Sequence, residues 1–144
     1  MEVKIDITPA YENPLAEIHT KEITEEIKNA IAVLTAKDPI ITAQYENKTV
    51  ILSPEEIYLV RIEGKDTIIY TKDQRCYSRL RLYEMKEKLG NTFMQISKFA
   101  LVNLKVLDYV EASFNGTLQL SLKNGCKENV SRRYLPDFKK YLGL

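Results

Sequence analysis

Beyond Pro39 the chain does not sustain one period for long. Short runs near 40–45, 48–53, 57–62, 66–71 and 74–79 are rich in Ile, Val, Thr and Tyr, and the turn-forming strings GKDT (64–67) and KDQR (72–75) punctuate them. That texture predicts strands joined by tight connections. The nine tyrosines and the absence of tryptophan agree with a β-rich body. Ser53-Pro54-Glu55-Glu56 predicts a single helical turn between strands. RLYEMKEKLG (81–90) predicts a short helix with Leu82, Met85 and Leu89 on one face, Lys86 and Lys88 late, and Gly90 just past its end. Asn115-Gly116 lies between the alternating runs LDYVEASF and TLQLSLK. It predicts a hairpin closed by a type I′ turn, which needs positive φ at both central positions. A second turn at Asn124-Gly125 leads to CKENVS. In RRYLPDFKKYLGL, the residues Tyr134, Phe138, Tyr141 and Leu142 predict a terminal helix with Pro136 in its first turn. The fold class is α+β and mostly β.

The first 44 residues differ in kind. VKIDIT (3–8) alternates like a short strand. Asn13 is placed to cap a helix whose first position is Pro14, and Leu15, Ile18, Ile23, Ile27, Ala30, Ile31 and Leu34 follow at spacings of mainly three, four and seven. An amphipathic helix of about five to six turns is expected, ending near Lys37-Asp38-Pro39. Its apolar stripe must pack on its own domain, on a second copy, or on another protein. Two parts are therefore expected, 1–44 and 45–144. Residues 1–44 hold 4 Lys/Arg against 8 Asp/Glu, whereas 97–144 hold 8 against 4, so a net charge of +1 conceals an acidic start and a basic end. A basic body suits a polyanion partner.

Several functions find no support in the residues. No apolar run approaches the roughly 18–20 residues that span a bilayer, and MEVKIDITPAYENP lacks the basic and apolar regions of a secretory signal. Cys76 and Cys126 lie too far apart for a metal or redox spacing and are expected as reduced thiols, which places the protein in the cytoplasm. With a single histidine, His19, a zinc site or a His-dependent triad is hard to assemble. No glycine-rich phosphate loop occurs. Glu25-Glu26 and Glu55-Glu56 are adjacent carboxylates that point apart, and no nucleophile has a base beside it. No catalytic residue, metal or cofactor is implied.

One stretch resists a simple period. FMQISKFALVNLKVL (93–107) alternates like neither a half-buried strand nor a helix, and it sets Ser97-Lys98 and Asn103 among apolar residues. Ser97-Lys98 is expected as a turn leaving the core, with Phe99, Leu101 and Val102 re-anchoring the chain and Asn103 bonding the local backbone. Extended to FMQISKFALVNLKVLDYVE (93–111), the stretch resembles the most diagnostic block of the LytTR family of bacterial DNA-binding domains. Three further parts carry the resemblance in the same order: EEIYLVRIEGKDTIIYT (55–71), RLRLYEMKEKLG (79–90) and GTLQLSLKNGCKENVSRRYLPDFKKYL (116–142). Together they cover about 45–144.

The resemblance implies an elongated, mostly β fold with short helices, here preceded by the amphipathic helix, that reads DNA through loops. Carried over by motif position, base contacts fall on Lys65 in EGKD, on Ser97 and Lys98, and on Arg133, with Ser131 and Arg132 beside it. Where the family often has histidine this chain has Ser97, which implies a base preference of its own. Arg79, Arg81, Lys105, Lys123, Lys139 and Lys140 would then serve phosphates, which position a protein without specifying sequence. The implied function is sequence-specific transcriptional regulation on double-stranded promoter DNA at tandem sites, by a homodimer reading successive major grooves. Many members carry a receiver domain ahead of this part. Forty-four residues are too few to fold one, so phosphorylation is not expected to be the switch, and a membrane-borne inhibitor protein is among the partners implied. The alternative is a protein-interaction module with a degenerate DNA surface, regulated through its N-terminal helix.

Overall fold

The computed structural model describes residues 1–35 and 39–144. The chain divides into two compact units, Met1–Lys37 and Asp38–Leu144.

In the first unit the helix is shorter than its apolar spacing predicts. Helix α1 spans Glu25–Thr35, and residues 14–24 are not helical. Thr24, not Asn13, caps it: the Thr24 hydroxyl accepts from the Ile27 N–H at 3.4 Å, and the Thr24 carbonyl accepts from Lys28 N–H at 2.9 Å. Upstream, the Thr20 hydroxyl donates to the Glu22 carbonyl at 2.7 Å, a local bond that competes with helix. Glu25 and Glu26 then favour the N-terminal end of the helix dipole. Residues 3–8 form no strand, and Val3, Ile5 and Ile7 are exposed. The expected helix end at Lys37-Asp38 lies outside the described residues.

The second unit is built almost as its punctuation predicts. Strands β1 (Ile41–Tyr45), β2 (Lys48–Leu52), β3 (Leu59–Glu63), β4 (Asp66–Tyr70) and β5 (Arg75–Ser78) precede helix α2 (Leu82–Leu89). Strands β6 (Phe93–Ser97) and β7 (Ala100–Asn103) follow. Strands β8 (Leu107–Ala112), β9 (Leu118–Leu122) and β10 (Lys127–Val130) come next, and helix α3 (Leu135–Leu142) closes the chain. Pro54–Glu56 is the single turn of helix between β2 and β3. All pairings are antiparallel, in a seven-stranded sheet ordered β2-β1-β5-β4-β3-β7-β6 and a three-stranded sheet ordered β10-β9-β8.

The large sheet is covered on both faces, and this explains the irregular period at 93–107. One face carries Ile41, Val60, Ile69, Cys76 and Leu101, packed with Leu82, Met85 and Leu89 of α2. The other carries Leu59, Ile96 and Val102, packed with Leu120, Leu122 and Val130 of the small sheet and Phe138 of α3. Leu59 and Val60 are neighbours in sequence and wholly buried on opposite faces, as are Leu101 and Val102. A strand buried on both faces reads as continuous apolar sequence rather than as alternation. Each such aliphatic side chain contributes about 1.5–3 kcal/mol by leaving water.

Both Asn-Gly turns close differently from a type I′ turn. Gly116 and Gly125 have positive φ, 76° and 90°, while their asparagines do not. Gly116 N–H donates to Ser113 O and Ser113 N–H to Thr117 O, and Gly125, Leu122 and Cys126 repeat the pattern. This is the three-residue loop in which only the last position is left-handed. Helix α3 ends in a Schellman motif, with Gly143 N–H to Lys140 O at 3.1 Å and Leu144 N–H to Lys139 O at 2.9 Å.

Asn103 joins these parts. It is buried, its Nδ2 donates to Ile57 O at 2.8 Å, and its Oδ1 accepts from Lys105 N–H at 3.0 Å. Its own N–H donates to Tyr58 O at 3.0 Å. Asn103→Ala strands the Ile57 carbonyl and the Lys105 N–H. We expect it to cost about 2–3 kcal/mol, seen as a lower denaturation midpoint at unchanged slope in urea.

Candidate nucleic-acid interface

Register brings the expected reading loops together. Strands β3 and β4 are joined by the two-residue turn Gly64-Lys65, since Glu63 pairs with Asp66, and Gly64 takes the positive φ of 64° that this turn needs. Strands β6 and β7 are joined by Lys98-Phe99, since Ser97 pairs with Ala100. Ile62 N–H donates to Phe99 O at 2.8 Å, so the two hairpin tips emerge side by side at one end of the large sheet. Strand order β4-β3-β7-β6 separates the hairpins by about two strand spacings, roughly 10 Å. The segment after β10 reaches the same end, where Ser131 N–H donates to Ile96 O at 2.9 Å.

Lys65, Lys98, Arg132 and Arg133 are exposed, and Ser97 and Ser131 are half-buried. The Ser97 hydroxyl accepts from Phe99 N–H at 3.0 Å, which fixes the turn. Arg133 holds its guanidinium 5.9 Å from the Tyr134 ring centre. Arg79, exposed, leaves β5 at this same end, because Ser78 pairs with Thr67. Arg81, also exposed, precedes α2, and its N–H donates to Glu84 Oε1 at 3.3 Å. Lys139 and Lys140 occupy the last turn of α3, which Phe138 anchors in the second core. Lys105 and Lys123 sit elsewhere. Lys105 follows the far end of β7, and Lys123 N–H donates to Val106 O at 2.9 Å, roughly 15–20 Å along the strands from the tips.

Phe99 departs from the expectation that it re-anchors the chain: it is 59% exposed. The register of β6 and β7 shifts between Gln95 and Ser97, so Phe99 falls at the tip and the small Ala100 takes the buried position.

Behind the tips lies a network that local sequence does not reveal. Arg61 of β3 donates to the Glu128 carboxylate and, at 3.2 Å, to Lys127 O, which ties the large sheet to β10. Glu63 accepts from the Tyr70 hydroxyl at 2.8 Å and pairs with Arg75, while Arg61 lies 3.4 Å from it. Arg75 also donates to the Tyr77 hydroxyl at 2.8 Å. The guanidinium groups of Arg61 and Arg75 each stand 5.2 Å from a ring centre, those of Tyr70 and Tyr77. The only local signal is alternation: Arg61 and Glu63 are two apart and share one face of a strand.

Each shift in this network has a cause. Burial pushes the Glu63 carboxyl up, but hydrogen bonds from Tyr70 and Arg75 outweigh it and leave the group below the usual carboxylate range. Burial works against the Arg61 charge, yet Glu128 more than restores it. Tyr70, Tyr77 and Glu63 all hold Arg75 in its charged form. Burial raises both thiols, which favours the protonated form of Cys76 and Cys126. Among the described residues no group of His, Cys, Asp and Glu could hold a metal, and no helix is long and apolar enough to cross a membrane.

Comparison with known proteins agrees with this fold. Residues 47–143 match the LytTr DNA-binding domain family. A sensory transduction protein LytT of Enterococcus faecalis is 33% identical over 127 residues, covering 87% of this chain and 52% of that protein. The chain thus spans about half the length of that relative. An uncharacterized HTH-type transcriptional regulator of Staphylococcus aureus is 26% identical over 130 residues, covering 89% of this chain and 88% of the other. A solved LytTr DNA-binding domain from Bacillus cereus superposes with a TM-score of 0.70 at 19% identity, over 75% of this chain and all of that one. At that identity the likeness speaks for the fold.

The Glu63 network implies acid sensitivity of known sign. Its folded pKa lies below the ordinary 4.5, so its stabilisation is complete above that value and is lost as pH falls through the folded pKa. We expect Glu63→Gln to be less stable than wild type at neutral pH, with the gap narrowing as pH falls below about 4.5. Thermal melts across that range measure it.

Proposed function

The chain belongs to the LytTR family of DNA-binding domains, and from that premise we propose that it is a sequence-specific transcriptional regulator of bacterial type that reads major-groove edges through loops. The convergence of three cation-bearing loops at one end of the fold carries this reading: Lys65 and Lys98 on neighbouring hairpins, and Arg132-Arg133 after β10. Two hairpin tips about 10 Å apart match a major groove about 12 Å wide. The Ser131–Arg133 segment, which follows β10 of the smaller sheet, serves the neighbouring groove.

Arg133 presents a planar fork suited to guanine O6 and N7, and Lys65 and Lys98 reach the same acceptors as single donors. Ser97 orients its tip and accepts or donates as the base requires. Arg79, Arg81, Ser131, Arg132, Lys139 and Lys140 hold the phosphates on either side. Lys105 and Lys123, a strand length away, add phosphate contacts only where the duplex continues along the body. Arg61 and Arg75 contribute little, because Glu63 and Glu128 already neutralise them.

A second copy of the chain is the partner proposed for the first unit, whose exposed Val3, Ile5, Ile7, Val33 and Leu34 offer apolar surface. Two copies on tandem sites combine modest half-site affinities through effective concentration. The same surface is where a membrane-borne inhibitor would dock.

Quantitative binding to selected and scrambled duplexes tests the assignment. Wild-type affinity should fall with salt at a log–log slope near −0.9 for each phosphate contact. Arg133→Ala should lose about 1–3 kcal/mol of discrimination between the two duplexes. Lys140→Ala should weaken both equally and make the salt slope shallower by about one contact. Wild-type discrimination by Arg133→Ala would refute the role given to that side chain. No retention of duplex by wild type at low salt would favour the interaction-module alternative.

A further inference from the structure

We propose that Phe99 recognises thymine through its 5-methyl group, beside a base read by Lys98. The inference rests on the DNA-reading role proposed above. It adds a specificity determinant at a position for which neither the sequence nor the family resemblance supplied a DNA contact.

The ring is held outward by its backbone. Phe99 N–H is taken by the Ser97 hydroxyl at 3.0 Å, and Phe99 O accepts from Ile62 N–H at 2.8 Å. The core position that follows is filled by Ala100, 1% exposed. Retracting the ring into the core would break both hydrogen bonds and displace a residue already in close packing. An aromatic side chain is therefore presented to solvent at the tip of a two-stranded ribbon, next to an exposed lysine.

Chemistry narrows what such a tip can meet. A two-stranded ribbon fits the major groove, where base edges offer hydrogen-bond donors and acceptors and one apolar group, the thymine methyl. A phenyl ring can use only the last of these. Of the residues around it at this end, Lys98, Gly64 and Lys65 carry no apolar side chain, and Ile62, bonded to its carbonyl, is half-buried against the core under α2, so the ring is the one exposed apolar group among these described tip residues. The core of a protein–protein interface needs a contiguous apolar patch instead. Lys98 and Phe99 together make a two-letter reader, one cationic and one apolar, which favours guanine and thymine in neighbouring positions.

Replacing thymine by deoxyuridine removes the methyl and keeps the pairing, which gives a direct test on the full-length chain. Duplexes are first selected from a random pool by the wild-type protein, and each thymine is then replaced singly. At one thymine, wild type should lose about fourfold in affinity, the scale of one methyl group taken out of water. Phe99→Ala should bind the thymine and deoxyuridine duplexes equally. Phe114→Ala removes an exposed ring from a different hairpin and should keep the wild-type ratio. Circular dichroism and melting would verify that both variants fold, as expected for exposed tip positions.

The proposal is overturned if no single replacement weakens wild type, if Phe99→Ala keeps the thymine preference, or if Phe114→Ala abolishes it equally. In each of those outcomes duplex binding itself persists, so only the Phe99 assignment falls. If wild type retains no duplex from the pool, the DNA-reading role falls and takes this inference with it.

Discussion

Burial of β3 and β7 on both faces is the constraint from which the rest of the larger unit follows. A strand with apolar side chains on one face needs one cover; Leu59-Val60 and Leu101-Val102 need two. Helix α2 supplies one, and the small sheet with α3 supplies the other. Those covers fix where the loops emerge, because the strands that carry the tips are the ones clamped from above and below. Cores packed at crystal-like density transmit position with little slack. The Lys65 and Lys98 turns are thus anchored to the stiffest part of the unit, although they are themselves exposed.

A second tie works alongside the first. Arg61 spans from β3 to Glu128 and the Lys127 carbonyl, so β10 and the segment after it are registered against the strands that carry the other two loops. Ser131 adds a main-chain bond to Ile96. Packing alone would tolerate sliding between two apolar faces, whereas directional bonds to a guanidinium do not. The network also sets Arg61 and Arg75, paired with Glu128 and Glu63, apart from the exposed cations of the tips.

Much of this was legible in the sequence, for local reasons. Short apolar runs, turn strings and Gly90 mark the strands and α2 because those signals act within a few residues. Failures came where two local signals competed or where the decisive partner lay far away. Asn13-Pro14 and Thr24 both offer a helix start, and the Thr24 hydroxyl holds it. Asn-Gly serves two hairpin types, and only positive φ at the asparagine would separate them. Lys65, Lys98 and Arg133 could be placed on turns or at a strand end, but their convergence depends on pairing between distant strands. Phe99 is not the anchor its neighbouring apolar residues suggest, because the register shift at Gln95–Ser97 has no signature in composition. Arg61 and Glu128 are 67 residues apart, beyond the reach of any spacing argument.

The Ser97 cap has a wider consequence. By taking up the Phe99 N–H it lets a two-residue turn keep its shape through its own side chain, with little help from whatever occupies the tip. Lys98 and Phe99 are exposed and belong to neither core, so exchanging them is expected to leave the scaffold intact. Under the proposed DNA-reading role, the residues at the tip are separable from those that hold the scaffold, with Ser97 serving both. A lineage could change the DNA sequence such a hairpin prefers in one or two steps, without passing through an unfolded intermediate.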